Sequence, residues 1–326
     1  MTHGSERQQA PATDAPETPT GLGKQSWWQV LKRTVVAFKA DNLTDWAAAL
    51  TYYAVLSIFP ALLALVSTLG LVSRSATQSL LGNLSGIAPG PARQVLTSVV
   101  QSLQGNQSSA GFAFVLGLAV ALWSASGYVA AFMRASNAVY EMPEGRPIWK
   151  TLPVRIGVTA IVVVLLAASA LAVVFTGSLA RTAGQALGIG STGVLVWNIA
   201  KWPVLLLIVI AIFALLYWAA PNVKHPGFRW VTPGSAVGVV TWIVASVAFG
   251  FYIANFAHYN KTYGTLAGVV IFLIWLWISN IAILLGVELD AELQRARAIR
   301  AGHPADEEPF AAPRDTRKFK KKERSA

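Results

Sequence analysis

The feature that most constrains this chain is a long uncharged run near its C-terminus. Between Leu266 and Val287 no side chain is ionisable, and charge returns only at Glu288 and Asp290. A helix rises about 1.5 Å per residue, so a run of this length crosses the roughly 30 Å hydrocarbon core of a bilayer. Helices of soluble proteins are rarely apolar on every side. The run therefore predicts a membrane-spanning helix.

The composition of the chain favours an integral membrane protein over a soluble one. Of its 326 residues, 54% are hydrophobic and 13% are charged, whereas soluble domains carry about 25% charged residues. The chain has no cysteine, which excludes disulfides, thiolate metal sites and cysteine nucleophiles. We expect a single membrane domain.

Six apolar stretches predict an all-α membrane protein with six transmembrane helices. A polar N-terminal stretch predicts a disordered cytoplasmic tail over residues 1–23, and the basic C-terminal stretch predicts a cytoplasmic tail over residues 301–326. The membrane domain is predicted over residues 24–300. Its predicted spans are residues 46–72, 110–133, 154–179, 194–219, 233–256 and 266–287.

Two further segments predict helices outside the spans. From Trp27 to Lys39 apolar and basic side chains recur at helical spacing, which is typical of an N-terminal helix in the headgroup layer or of one packed on the membrane domain. The sequence leaves both interpretations open. Residues 74–107 predict short amphipathic helices on the periplasmic side.

The distribution of charge predicts the orientation of the chain. Lys and Arg accumulate in cytoplasmic segments of membrane proteins. Of the 26 basic residues, all but five fall on the side that holds both termini. No acidic residue lies between Asp45 and Glu141, or between Glu144 and Glu288. Both termini are therefore predicted to be cytoplasmic. The five exceptions are Arg74, Arg93, Arg181, Lys201 and Lys261.

Several short motifs occur together in one known family. Residues 47–60 read AAALTYYAVLSIFP, Asn137 and Tyr140 follow the second predicted span, and Tyr263 and Gly264 open the last span, which ends in GVELD. In combination they resemble the YihY/BrkB family of bacterial inner-membrane proteins, historically called ribonuclease BN-like.

The resemblance covers about residues 28–300 and implies a fold, a location and a role. It implies a six-helix, multi-pass protein of the bacterial inner (plasma) membrane with cytoplasmic termini, in agreement with the charge distribution. It implies a function in envelope transport or lipid handling. A non-transporting scaffold of an envelope complex is the alternative that the sequence leaves open. The expected partners are membrane lipids, with an envelope protein or a second copy of the chain as further candidates.

The motif positions are the candidate pathway residues, and helix packing is the competing interpretation for each. Tyrosine hydroxyls can line a buried polar path, whereas glycines such as Gly264 and Gly286 allow helix backbones to approach closely. The candidates are Tyr52, Tyr53, Ser57, Pro60, Asn137, Tyr140, Tyr263, Gly264, Gly286 and Glu288.

Charged residues near the ends of the spans suggest two kinds of contact. Lys201 and Lys261 are candidate anion contacts on the outer face, or they extend to outer headgroups. Asp45 and Glu288 are candidates for ion pairs with Arg134 or Arg155. Because the predicted spans hold almost no acidic residue, a proton- or ion-coupled pump is disfavoured.

Nuclease chemistry is disfavoured by the same residues. Two-metal phosphoryl transfer requires carboxylates or histidines clustered around ions about 4 Å apart. The four histidines, His3, His225, His258 and His303, are scattered and show no metal-ligand spacing. We therefore predict a protein that is not an enzyme, with no catalytic residue, no metal, no cofactor and no nucleic-acid partner.

Overall fold

A computed structural model describes residues 24–72, 107–174, 190–224, 232–256 and 265–319. Within these ranges the predicted all-α class is confirmed, because long helices form nearly all of the structure and the one β contact is an isolated bridge between Val223 and Pro313. The helices are α1 (Lys24–Ala40), α2 (Leu43–Val72), α3 (Gln107–Val139), α4 (Ile148–Val174), α5 (Ser191–Ala219), α6 (Pro233–Phe256) and α7 (Thr265–Arg300).

Helices α2 to α7 form a closed ring. Each helix packs against the next one along the chain, and α7 closes the ring by packing against α2; α7 also touches α3. Helix α1 lies outside the ring, against α7 and α2. We call one end of the ring the clamp end: α3 ends there and α4 begins, joined by residues 140–147, and residues 220–224 and 311–319 also lie there.

Four helices of the ring are long and apolar enough to cross a membrane. The qualifying segments are Ile148–Ser169, Thr192–Ala219, Pro233–Asn255 and Gly268–Arg300. The remaining two predicted spans fall on α2 and α3, which are 30 and 33 residues long. The structure thus supports a membrane protein with several apolar helices, while the count of six spans stays a prediction.

Two helices extend well beyond the apolar stretches from which they were predicted. Helix α3 continues to Val139 and α7 to Arg300, past predicted span ends at residues 133 and 287. Hydropathy marks only the part of a helix that suits lipid. The extra turns of α7 pack on α1, and a second face with its own partner sustains a helix beyond its apolar part.

Helix α1 packs on the extended part of α7. Val30 is 2% exposed and lies in a small apolar cluster with Leu289 and Leu293. Beside this cluster, Arg33 Nε donates to Glu292 Oε2 at 2.9 Å. The structure therefore shows the packed arrangement of the two that the sequence left open, and it also leaves apolar side chains of α1 exposed, among them Trp28.

Helices α6 and α7 approach closely at a pair of glycines. A Cβ atom at Gly286 would clash with the carbonyl oxygen of Gly234 and with the hydroxyl of Tyr217. That hydroxyl donates to the carbonyl oxygen of Ile283 at 2.5 Å. Gly286 therefore lies at a close backbone approach, as its small size predicts, whereas Gly264 lies outside the described residues.

The segment that follows α7 folds back onto the clamp end. Asn222 Nδ2 donates to the carbonyl oxygens of Pro143 at 3.1 Å and Asp315 at 3.0 Å. In return the backbone N–H groups of Arg314 and Asp315 donate to Asn222. Lys318 N donates to the carbonyl oxygen of Gly145 at 3.0 Å. Residues 311–319 are thus held by the ring itself.

A buried arginine completes the clamp end. Arg146 is 4% exposed, pairs with Glu144 at 2.7 Å and donates to the carbonyl oxygens of Ala219 and Ala220. These carbonyls belong to the last turn of α5, whose C-terminal C=O groups have no partner within the helix. Glu144 also accepts from Asn137 Nδ2 at 3.0 Å. Each charge here therefore has a partner.

Candidate functional site

Helices α2, α3 and α4 carry a group of residues that we call the arginine cleft. It is formed by Tyr53 and Ser57 of α2, by Trp123, Ser126 and Arg134 of α3, and by Arg155 of α4. These helices are neighbours in the ring, so the cleft combines residues that are far apart in sequence.

Arg155 reaches from α4 across to α3. Its Nε donates to Ser126 Oγ at 2.6 Å and its Nη2 donates to the carbonyl oxygen of Trp123 at 3.3 Å. The Arg155 Cζ atom lies 5.2 Å from the centre of the Trp123 ring, within the range of a cation–π contact. Ser126 is fully buried, whereas the Trp123 side chain is 54% exposed. The guanidinium is therefore anchored on α3, and Arg155 is itself half-buried.

Arg134 lies above an aromatic side chain of the AAALTYYAVLSIFP motif. Its Cζ atom is 5.5 Å from the centre of the Tyr53 ring. Tyr53 is supported from below, because a Cβ atom at Gly127 would come within 3.5 Å of it. Tyr52 meets Tyr53 edge to face with ring centres 5.5 Å apart, and it is 61% exposed. The two motif tyrosines thus take different roles, one under the guanidinium and one on the surface.

Ser57 fixes the spacing between α2 and α3 beside the two arginines. Its hydroxyl lies 2.7 Å from the carbonyl oxygen of Tyr53 and 3.1 Å from that of Ala125 on α3. A hydroxyl carries one proton, so it donates to one of these carbonyls at a time. Pro60 falls within α2, with its side chain outside the described part.

Among the described residues, the cleft carries positive charge without a matching negative charge. Arg134 is close enough to repel Arg155. Within the described ranges, neither guanidinium has a carboxylate within 4.0 Å, whereas Arg33 and Arg146 each have one. Ionisable side chains among apolar helices are costly unless they serve a ligand or a partner. The arrangement is chemically suited to an anion.

The ion pairs expected for Glu288 are wrong. Arg134 and Arg155 meet aromatic rings and Ser126 instead, and Glu288 shares a hydrogen bond with the Asp41 carboxyl. For Arg155 the reason is the order of the helices: α7 places Glu288 beside α1, whereas α4 lies on the other side of α3. Arg134 lies over the Tyr53 ring of α2 instead. No ion pair of Asp45 is found among the described side chains.

Other candidate residues lie away from the arginine cleft. Asn137 belongs to the clamp end, where its Oδ1 accepts from Asn222 N at 2.7 Å. Tyr140 is 8% exposed and lines a cavity between α1 and α7 together with Glu288. Tyr263, Gly264 and Lys261 lie outside the described residues.

Lys201 is not a surface cation in this structure. It is 5% exposed, its Nζ lies 5.6 Å from the centre of the Trp202 ring, and it donates to Asn198 Oδ1 at 3.5 Å. These partners belong to its own helix, α5. Its predicted role as an anion contact stays untested.

As for metal sites, the described part of the chain contains no cluster of three His, Asp or Glu side chains that could hold an ion.

Sequence reasoning missed Arg155 as a candidate binding residue. It assigned Arg155 to a partner carboxylate. A signal was nevertheless present, because Arg155 lies just inside a predicted span that begins at residue 154. An arginine at that depth requires a partner, but which helix supplies that partner depends on the ring.

Comparison with known proteins identifies a family of membrane proteins. The profile of the family described as Virulence factor BrkB matches residues 34–310. The ribonuclease-like protein YfkH of Bacillus subtilis is 31% identical over 258 residues, which cover 79% of this chain and 92% of YfkH. A UPF0761 membrane protein of Aromatoleum aromaticum is 28% identical over 274 residues, covering 81% of this chain and 64% of that protein.

The relatives differ in length, and one comparison gives no match. The chain spans about three-fifths of UPF0761 relatives such as that of Xanthomonas campestris, where 27% identity extends over 271 residues, 80% of this chain and 59% of the relative. No solved structure matches the chain.

Proposed function

Because this chain belongs to the BrkB family of membrane proteins, we propose that it handles anionic lipids of the bacterial envelope and that the arginine cleft binds their phosphate groups. The observation that carries the proposal is the pair formed by Arg134 and Arg155, which has no carboxylate partner among the described residues. Guanidinium groups bind phosphate through paired N–H donors.

The surroundings of the two arginines favour a lipid over a soluble anion. Trp123 and Tyr52 leave much of their aromatic surface exposed beside the cleft, and aromatic side chains suit the boundary between headgroups and acyl chains. Further along α4, Leu166 lies on the same side of the helix as Arg155 and is 55% exposed. A phosphate held by the arginines would keep its acyl chains beside these surfaces.

The proposal includes a topology. All six helices of the ring cross the inner membrane, both termini are cytoplasmic, and the clamp end faces the cytoplasm. The excess of basic residues on that side supports this orientation. Helix α1, with Trp28 70% exposed and Val35 69% exposed, would lie in the cytoplasmic headgroup layer.

The first experiment measures lipid binding. Native mass spectrometry of the detergent-purified chain titrated with phosphatidylglycerol should detect bound lipid, and the Arg134→Gln/Arg155→Gln double variant should bind about tenfold more weakly or worse. A charge-assisted hydrogen bond contributes about 1.5–3 kcal/mol, and 1.4 kcal/mol is about tenfold in affinity. Lys39→Gln is the matched control, because Lys39 is an exposed cation of α1.

Two results would count against this function. Equal phosphatidylglycerol binding by the double variant and the unaltered chain would remove the arginine cleft from the proposal. Flux of labelled phosphatidylglycerol in proteoliposomes that does not exceed that of empty vesicles, with a stably bound partner protein, would favour a scaffold over a transporter. The role that we propose involves no covalent chemistry.

A further inference from the structure

A second site lies outside the ring, between α1 and α7. A cavity of about 610 Å³ opens there, walled by these two helices, by the link after α3 and by the segment after α7. Tyr140 contributes from the link and Phe310 from the C-terminal segment. The cavity shares no lining residue with the arginine cleft, so a ligand in one leaves the other open.

Two carboxyl groups meet in the cavity wall. Asp41 follows the last residue of α1, and the next residue, Asn42, has a φ of 51°, a left-handed conformation that asparagine tolerates better than most residues. This turn places the Asp41 carboxyl beside Glu288 of α7, where the two can share a hydrogen bond when one of them is protonated. Glu288 is 2% exposed, and within the described structure its Oε2 atom has no hydrogen-bond partner. A buried carboxylate oxygen without a partner is costly.

The charges that face the cavity are divided between its two ends. The carboxyl pair occupies one end. Towards the other end, Arg33 is neutralised by Glu292 at 2.9 Å. Arg295 approaches Glu308 at 4.0 Å and lies 4.3 Å from the centre of the Phe310 ring. The remaining charged lining residues, Lys32 and Glu141, are both exposed.

The distance between the ends follows from the helix rise. Arg33 and Asp41 are eight residues apart, which corresponds to about 12 Å along α1. Helix α7 runs antiparallel to α1, since Arg33 meets Glu292 and Asp41 meets Glu288. Both helices therefore place acid at one end of the cavity and base at the other. A molecule with one positive and one negative end matches this pattern better than a simple cation.

We propose that the cavity binds a zwitterion that carries a primary ammonium group and a phosphate. The ammonium occupies the carboxyl end, where its N–H groups donate to Asp41 and to the free Oε2 of Glu288. The phosphate lies towards Lys32 and Arg295. The chemistry is that of an ethanolamine phosphate, either as the headgroup of a membrane lipid or as a free molecule.

The titration behaviour of Asp41 fits this assignment. Burial raises the pKa of Asp41, and the nearby Glu292 and Glu308 carboxylates raise it further, although its hydrogen bond to Glu288 acts in the opposite direction. An ammonium ion bound at the pair would supply the positive charge that the carboxyl end otherwise lacks. At a pH low enough for Asp41 to hold a proton, ligand binding should therefore release it.

The test uses the full chain purified in detergent and isothermal titration with two soluble probes. Glycerophosphoethanolamine should bind, and glycerophosphocholine should bind at least tenfold more weakly, because its trimethylammonium group has no N–H donor. Glu288→Gln and Asp41→Asn should each weaken binding of the first probe at least tenfold. Asp45→Asn, an exposed acid of the same turn region, is the control and should bind normally.

Equal binding of the two probes, or no binding of either, would overturn the proposal without any variant. Unchanged binding by a folded Glu288→Gln chain would overturn it as well. The source of the zwitterion follows from nanodiscs: enrichment of phosphatidylethanolamine by the unaltered chain but not by Glu288→Gln identifies a lipid, and binding of the soluble probe alone identifies a free molecule.

This site and the arginine cleft can fail separately. The Arg134→Gln/Arg155→Gln variant should keep full affinity for glycerophosphoethanolamine, because neither residue lines the cavity. Loss of phosphatidylglycerol binding in that variant with glycerophosphoethanolamine binding retained would support both proposals.

Discussion

The clamp end and the arginine cleft use the same residue types under opposite conditions. At the clamp end, Arg146 is buried and pairs with Glu144 and two carbonyl groups. In the cleft, Arg134 and Arg155 repel each other and have no carboxylate within 4.0 Å in the described part of the chain. The difference teaches that a charge contributes to the fold where its partners are built in, and is available for a ligand where they are not.

The same comparison applies to two neighbouring acids of α7. Asp290 accepts from Gly234 N at 2.8 Å and from the Thr232 hydroxyl, so it caps the start of α6. Glu288 precedes Asp290 by two residues on α7. It has a side-chain oxygen without a hydrogen-bond partner in the described structure. Asp290 therefore has a structural role, and the Oε2 atom of Glu288 is available to the ligand proposed above.

The largest difference is expected between two arginine substitutions. Arg146→Met should destabilise the protein by about 3–5 kcal/mol, because it leaves Glu144 and the last carbonyls of α5 without their charged hydrogen-bond partner. Arg134→Met should change stability by less than about 0.5 kcal/mol, as is usual for an exposed side chain. Thermal unfolding in one detergent measures both. Equal changes in unfolding temperature for the two variants would contradict the idea that Arg146 stabilises the fold through its partners while Arg134 does not.

A smaller effect is expected at Asn222. Asn222→Ala removes both donors to Pro143 and Asp315 and should cost about 2–3 kcal/mol, because buried backbone groups lose their partners. It should also expose Arg317 and Lys318 to trypsin at low protease concentration. Asn255→Ala is the control, since that exposed side chain donates to Phe251 of its own helix and has no other hydrogen bond among the described residues. Resistance of the Asn222→Ala chain to trypsin would show that residues 311–319 are held by other contacts.

The two acids of α7 give the next comparison. Asp290→Asn should lose about 1–2 kcal/mol, because a carboxylate at a helix N-terminus accepts charge-assisted hydrogen bonds. Glu288→Gln should be neutral or slightly stabilising, because it removes a buried charge without a full set of partners. Denaturation in a graded detergent series compares them. A Glu288→Gln chain less stable than Asp290→Asn would reverse our assignment.

The smallest effect is a difference in pH dependence. Burial opposes ionisation of Glu144, but its hydrogen bond to Arg146, the charge of that residue and the Asn137 amide hold the pKa of Glu144 below its usual range. A depressed pKa gives stability that is complete above the unfolded value of about 4.3 and is lost as the pH falls through the folded value. The pKa of Asp41 is raised by burial. Its contribution to stability therefore has the opposite dependence on pH, because protonation of Asp41 favours the folded state.

Two variants separate these contributions. Between about pH 5 and pH 3 the unaltered chain should lose more thermal stability than Glu144→Gln, which has no carboxylate left to protonate. Asp41→Asn should lose more than the unaltered chain over its own titration range, because it no longer gains from protonation there. Identical pH profiles for all three chains would show that neither carboxyl is coupled to folding.

Much of the fold was predictable because hydropathy depends on local sequence. The apolar runs located α4 to α7, and the small side chain of Gly286 indicated a close helix approach that the structure shows against Gly234. The helix ends were less predictable. The continuation of α7 to Arg300 depends on packing against α1, which hydropathy does not encode.

The candidate site was predictable only in part. The motif identified Tyr53 and Ser57, which do line the arginine cleft. It also selected Asn137, whose contacts with Glu144 and Asn222 are structural. The sequence offered carboxylate partners for Arg134 and Arg155 because charge alone cannot tell which helix faces which. That information resides in the closure of the ring.

The sequence by itself determined that this chain is a helical membrane protein, because the free energy of transferring long apolar segments from water to lipid is a property of the segments alone. The tertiary structure decided which charges have partners. Pairing depends on distances between residues as far apart in sequence as Ser57 and Ala125, or Asp41 and Glu288, and those distances are fixed only when the helices pack.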